Sequence, residues 1–178
     1  MKLPRQFAFW PVLLGLLALD CTTKELAVDQ LSPAYVPHSV IGDVVRFTLA
    51  YNPDAAMGLS LGAYSRAGFI LLAGVMLCGL VLYYRRLPPG NNGVTTVALA
   101  LIGGGAAGNL LDRLRSSRGV VDFIDIGVGD VRFCTFNIAD AGVFCGAMLL
   151  LLVLSRADSD GRYSGRGSDH EEHEELQP

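Results

Sequence analysis

Asp122, in Val120-Val121-Asp122-Phe123, and Asp140, in Phe136-Asn137-Ile138-Ala139-Asp140, stand at the edge of an apolar run that continues to Leu154. Taking an ionised carboxylate out of water costs several kcal/mol even after relaxation. An acid within or beside such a run is therefore a functional-site hypothesis by default. Two carboxylates close together cannot both ionise cheaply, so one keeps a proton while the other takes a proton from water. That is the chemistry of hydrolysis by an acid pair, and it requires no metal and no organic cofactor.

Three further polar clusters share this setting. Asp20 and Lys24 are four apart with the acid first, the favourable order for a helical ion pair. Asn109, Asp112 and Arg113 lie at i, i+3 and i+4, so one helical face presents an amide, a carboxylate and a guanidinium. Asn137 and Asp140 repeat the i, i+3 spacing. The two amides can hold a substrate backbone or orient a catalytic acid. Arg113 can bind a substrate carbonyl or Asp112, and Asp112 itself reads as a structural partner.

The elements that must position these groups are membrane spans. Of 178 residues, 51% are apolar and 17% charged, against about 25% charged in soluble domains. Mean hydropathy is +0.40. Four apolar stretches, at about 7–26, 67–84, 94–111 and 137–154, predict four transmembrane helices. The second ends on Tyr83-Tyr84-Arg85-Arg86, an interface anchor, before the turn-forming Pro88-Pro89-Gly90. Gly104 with Gly108 and Gly142 with Gly146 have the spacing that lets helices approach closely. All three polar clusters then fall at one membrane face.

Two loops on that face, about 30–66 and 116–135, carry strand signals. Asp43 to Tyr51 is rich in β-branched and aromatic residues, and Gly119 to Ile126 followed by Val131-Arg132-Phe133 reads as a hairpin. The expected fold is an all-α membrane protein, a four-transmembrane-helix bundle with a small β platform on the outer face. Residues 1–155 form one membrane-embedded domain, and 156–178 a disordered acidic tail. The tail sets seven acids against three arginines, a net of −4 in a chain of net −3, so the acidic balance says nothing about substrate. His170 and His173 in the tail are three apart and lack an apolar frame, and His38 has no evident partner; none predicts a metal site.

Four spans put both termini on one side, but the basic residues divide seven to seven between the two faces. The basic start Met1 to Arg5 and the paired arginines at 85–86 lean toward cytoplasmic termini. A cleaved signal peptide ending at Cys21 is the rival reading of the first stretch, and Asp20 before the cysteine speaks against it. Cys21 and Cys134 fall near one face, which permits a disulfide without predicting one; Cys78 and Cys145 read as small apolar side chains. A proton-coupled carrier is the competing class for acids in spans. Its inverted repeats are not evident here, and the acids gather at one face instead of lining a path across the bilayer.

The motifs Asp20-x-x-Thr23-Lys24, Asn52 with Ala55-Ala56, Gly105-x-x-Gly108-Asn109-x-x-Asp112-Arg113, Val121-Asp122-Phe123 and Phe136-Asn137-x-Ala139-Asp140 occur in an order and spacing that resemble lipoprotein signal peptidase, or signal peptidase II. The resemblance covers about Asp20 to Gly146. It departs where Asp54, Met57 and Gly58 stand for the usual Gly, Phe and Ser, and where Ala141-Gly142-Val143 follows Asp140 in place of Ser-Ala-Ile. The resemblance implies an aspartic endopeptidase of the bacterial cytoplasmic (inner) membrane. Such an enzyme cuts a prolipoprotein just before a cysteine that carries diacylglycerol. It implies Asp122 and Asp140 as the catalytic dyad, with Asn52, Asn109, Arg113 and Asn137, and less directly Asp20 and Lys24, lining or supporting the substrate site. The expected partners are the prolipoprotein and membrane lipids, with no nucleic acid, and the expected state is a monomer.

Overall fold

The computed structural model describes residues 6–54, 62–87 and 93–171, with side chains over 7–54, 62, 64–87 and 93–156. In chain order the elements are α1 (Gln6–Gln30), β1 (Pro37–Ile41), β2 (Val45–Asn52), α2 (Ser65–Arg86), α3 (Gly93–Arg115), β3 (Val120–Val128), β4 (Val131–Arg132) and α4 (Ile138–Glu171). Phe7–Gln30, Ser65–Arg86, Gly93–Arg115 and Ile138–Arg156 are each long and apolar enough to cross a membrane. The protein is a multi-pass membrane protein.

The helix α3 is the hub, packed against α1, α2 and α4. Its glycines make this possible. A Cβ on Gly105 would run into the backbone carbonyl of Ala139 on α4, and one on Gly108 would strike the Asp20 carboxylate of α1. At the far end Phe9 of α1, Tyr84 of α2 and Leu99 of α3 form an apolar cluster, with Phe9 and Tyr84 stacked at 4.1 Å. The start of α1 thus meets the end of α2 and the start of α3, as an up-and-down bundle requires. Much of the remaining apolar surface is outward-facing: Leu71 is 69% exposed and Phe144 67%, as expected of lipid-facing positions.

The β platform is one antiparallel sheet of order β1-β2-β3-β4. β2 and the β3–β4 hairpin lie where their β-branched residues predict. β1 was not read from the sequence, because five exposed residues opening on a proline give an edge strand little signature. The other differences lie at helix ends. The first helix runs on to Gln30, beyond the expected 26. The helix α4 does not stop at 154: helical backbone continues through Glu171, where a disordered tail was expected. No proline interrupts that segment, so once the span is formed each further turn is added without a new nucleus. The four cysteines are free, Cys21 and Cys134 included. The Pro88–Asn92 turn and the atypical positions Met57 and Gly58, with Ala55 and Ala56, lie outside the described residues.

Candidate active site

Asp122 reaches the site through strand pairing. β3 lies between β2, where Ala50 faces Asp122, and the segment before α4, where Phe136 bonds Ile124 in both directions (2.8 and 3.0 Å). That bridge brings Asn137, the next residue, alongside the Asp122 carboxylate. Asn137 is also the N-cap of α4, and its Oδ1 accepts the Asp140 amide at 2.9 Å. The Asp140 carboxylate in turn accepts the Asn137 amide at 3.2 Å, a reciprocal capping box with Asn and Asp in place of Ser and Glu. The first turn of a helix therefore fixes the second acid.

The two carboxylates are joined through amides. Asn137 Nδ2 donates to Asp122 Oδ1 at 2.7 Å and to Asn109 Oδ1 at 3.1 Å. Asn109 Nδ2 donates to Asp140 Oδ1 at 2.8 Å, and Asn52 Nδ2 donates to Asp122 Oδ2 at 3.2 Å. Asn52 is oriented by its own turn, since its Oδ1 takes the Asp54 amide at 3.1 Å. Asp122 is only 3% exposed. Burial, and then the charge of Asp140, push its carboxyl from 3.8 up to about 7, against the pull of the Asn52 and Asn137 hydrogen bonds and the Lys24 charge.

Behind the amides lies a cation. Lys24 Nζ stands 2.8 Å from Asp20, 2.9 Å from Asp112 and 2.9 Å from Asn109 Oδ1. Asp20 uses its other oxygen to accept the Ala139 amide of the α4 first turn at 2.9 Å, and Asp112 accepts the Val121 amide at 3.2 Å. Arg113 turns away from Asp112 and donates to the Asp54 carbonyl at 2.6 Å, with its guanidinium 5.5 Å from the Phe69 ring centre. All eight residues singled out in the sequence thus belong to one connected network, and Asp112 links Lys24 to the start of β3. Arg66 was missed. It caps the end of α3 by donating to the Arg113 carbonyl at 2.8 Å, and its position at the start of the second span was the available signal.

A cleft of about 1010 Å³ opens beside the acids, with Asn52, Asp122 and Asp140 on its polar wall and Phe69, Leu72, Met76 and Phe144 among its apolar residues. α2 and α4 both pack on α3 and leave this trough between them.

An apolar four-helix bundle, capped at one end by a sheet and enclosing carboxylates in a cleft between helices, has the build of an intramembrane enzyme. The profile described as signal peptidase (SPase) II matches residues 12–156. The chain is 37% identical over 155 residues to a lipoprotein signal peptidase of Rhodococcus jostii, covering 84% of this chain and 73% of that one. It is 35% identical over 151 residues to one of Halothermothrix orenii, covering 84% and 97%. A solved bacterial membrane enzyme matches with a TM-score of 0.74 at 27% identity, over 84% of this chain and 88% of that one. The chain belongs to the signal peptidase II family, and it is a protease whose substrates are prolipoproteins.

Proposed function

We propose that Asp122 and Asp140 are the catalytic pair with which this peptidase cuts the signal peptide from diacylglyceryl-modified prolipoproteins, immediately before the lipidated cysteine. The observation that carries the reading is the amide bridge: Asn137 donates to both carboxylates, through its side chain to Asp122 and its backbone to Asp140, and both acids face one cleft. Asp122, with its raised pKa, keeps the proton. Asp140 takes a proton from a water molecule as that water attacks the scissile carbonyl, and Asp122 donates to the carbonyl oxygen. As the C–N bond of the tetrahedral intermediate breaks, Asp140 gives its proton to the leaving amine and a hydroxyl proton returns to Asp122, restoring the starting pair. The polar wall suits an extended peptide, with Asn52, Asn109 and Arg113 as backbone partners, and the apolar wall suits acyl chains.

In this reading the chain sits in the bacterial inner membrane with both termini cytoplasmic and the β platform at the outer face, and it acts as a monomer. Purified protein is incubated with a lipid-modified precursor and with the same precursor lacking lipid. Cleavage of the first alone, lost in Asp122→Asn and in Asp140→Asn, is the expected result. Full processing by either variant would sink the dyad.

A further inference from the structure

The cleft does not end at the acids. Below it, away from the sheet, a second groove of about 280 Å³ runs between α2 and α3. Met76 and Ala106 line both, so the two are one trough. The spacing shows the continuity: Phe69, Leu72, Met76, Leu80 and Tyr83 follow a 3–4 repeat down one stripe of α2, and Asn109, Ala106, Ile102 and Leu99 do the same on α3. We infer that this lower groove seats the distal end of one acyl chain of the substrate lipid. The inference rests on the reading of the cleft as the site for a diacylglyceryl precursor.

Dimensions choose the occupant. From Asn109 to Leu99 the α3 floor runs about 15 Å at 1.5 Å per residue. That is half of a hydrocarbon core about 30 Å thick, the depth of one leaflet. A peptide helix, about 10 Å across, is too wide for so small a groove and would have to continue through the other leaflet. A hydrocarbon chain descending from a headgroup beside the acids fits both length and lining. Bilayer tails are as apolar as the groove, so entry has no hydrophobic drive. The gain is positional: a seated chain fixes how far the lipidated cysteine stands from Asp122 and Asp140. Gly79 keeps the groove open, since a Cβ there would meet no atom within 4 Å.

Gly79 lines the groove and has room for a Cβ, so Gly79→Leu is the substitution chosen to narrow it. Gly74, on the same helix and equally free of neighbours but lining neither cavity, supplies Gly74→Leu as control. KM is measured with dipalmitoyl- and dioctanoyl-modified precursors in detergent micelles. The ratio of the two KM values is expected to move about tenfold against the long chain in Gly79→Leu, and not in Gly74→Leu. An unchanged ratio, or equal losses for both substrates, would overturn the groove while leaving the cleft reading intact. Equal cleavage of a precursor without lipid by the unsubstituted protein would instead overturn the cleft reading and the groove with it. Should Gly79→Leu fail to fold, a photoreactive group at the acyl terminus answers in the unsubstituted protein. Crosslinks to Gly79, Tyr83 or Leu99 support the seat, and crosslinks confined to Leu71 or Val75 on the lipid-facing side refute it.

Discussion

Two pairs of acids lie within one site and are treated in opposite ways. Asp20 and Asp112 share the ammonium of Lys24, whereas Asp122 and Asp140 share only the amides of Asn137 and Asn109. The Lys24 ammonium pins both carboxylates of the first pair in place, and neither of them lines the cleft. Amides orient an acid without pairing its charge, and burial and the neighbouring Asp140 raise the pKa of Asp122 against their pull. The cationic pair builds the site by tying α1, α3, β3 and the start of α4 together. In the proposed mechanism the amide pair carries the protons, so identical side chains divide into scaffold and reagent according to what donates to them.

The largest break in that comparison comes from the amide pair. Asp122→Asn or Asp140→Asn removes a proton-transfer group but keeps the shape, so turnover should fall at least about 10³-fold. Melting temperature in detergent should fall by no more than the equivalent of one lost hydrogen bond, about 1 kcal/mol, because Asn keeps one of the two accepting oxygens. Cleavage of a lipid-modified precursor beside a thermal melt reads both quantities. A folded variant with near-normal turnover would place the chemistry elsewhere.

Lys24→Met should reverse the balance of effects. Lys24 is 3% exposed and Asp20 fully buried. Removing the cation leaves two acids facing each other in an apolar setting, a loss of about 3–5 kcal/mol of stability. Combining it with Asp20→Asn and Asp112→Asn removes the stranded charges and should recover part of the loss. If the single and triple variants melt alike, the cation does not hold the scaffold.

A smaller effect follows from pH. Asp122 titrates near 7 in the folded protein and near 3.8 when exposed, so between those values the folded state binds a proton that the unfolded state does not. Stability therefore falls as pH rises from about 4 to about 7 and levels off above. Asp122→Asn should flatten that slope in melts run across the window. Activity should decline through the same upper limit as the retained proton leaves.

How much of this division was legible follows from how local each signal is. Asp20 and Lys24 sit one helical turn apart, and so do Asn137 and Asp140, so spacing alone exposed both. The partner of Asp112 was not legible. Lys24, 88 positions earlier in the chain, takes the place that the adjacent Arg113 was one candidate to fill, because α1 approaches α3 across Gly108. The meeting of Asp122 with Asn137 depends on the bridge between Ile124 and Phe136, a tertiary pairing that residue type does not announce. The cleft arises from what α2 and α4 leave unfilled, and single-chain periodicity is silent on that.

The smallest effect tests whether the rule extends beyond the site. In the β platform Asp125 pairs with Arg132, Nε to Oδ1 at 2.6 Å, and also accepts the Thr48 hydroxyl at 3.2 Å. Arg132 further donates to the Asp43 carbonyl at 2.9 Å, tying the two hairpins together. This is again an acid held by a cation, so it should behave as scaffold. Both side chains keep some contact with solvent, 17% and 10% exposed, which screens the pair. Arg132→Gln should cost about 1 kcal/mol and leave turnover within about twofold. A large loss of turnover with an unchanged melt would show that a cation-held acid also serves the reaction, and the contrast between the two pairs would no longer separate structure from chemistry.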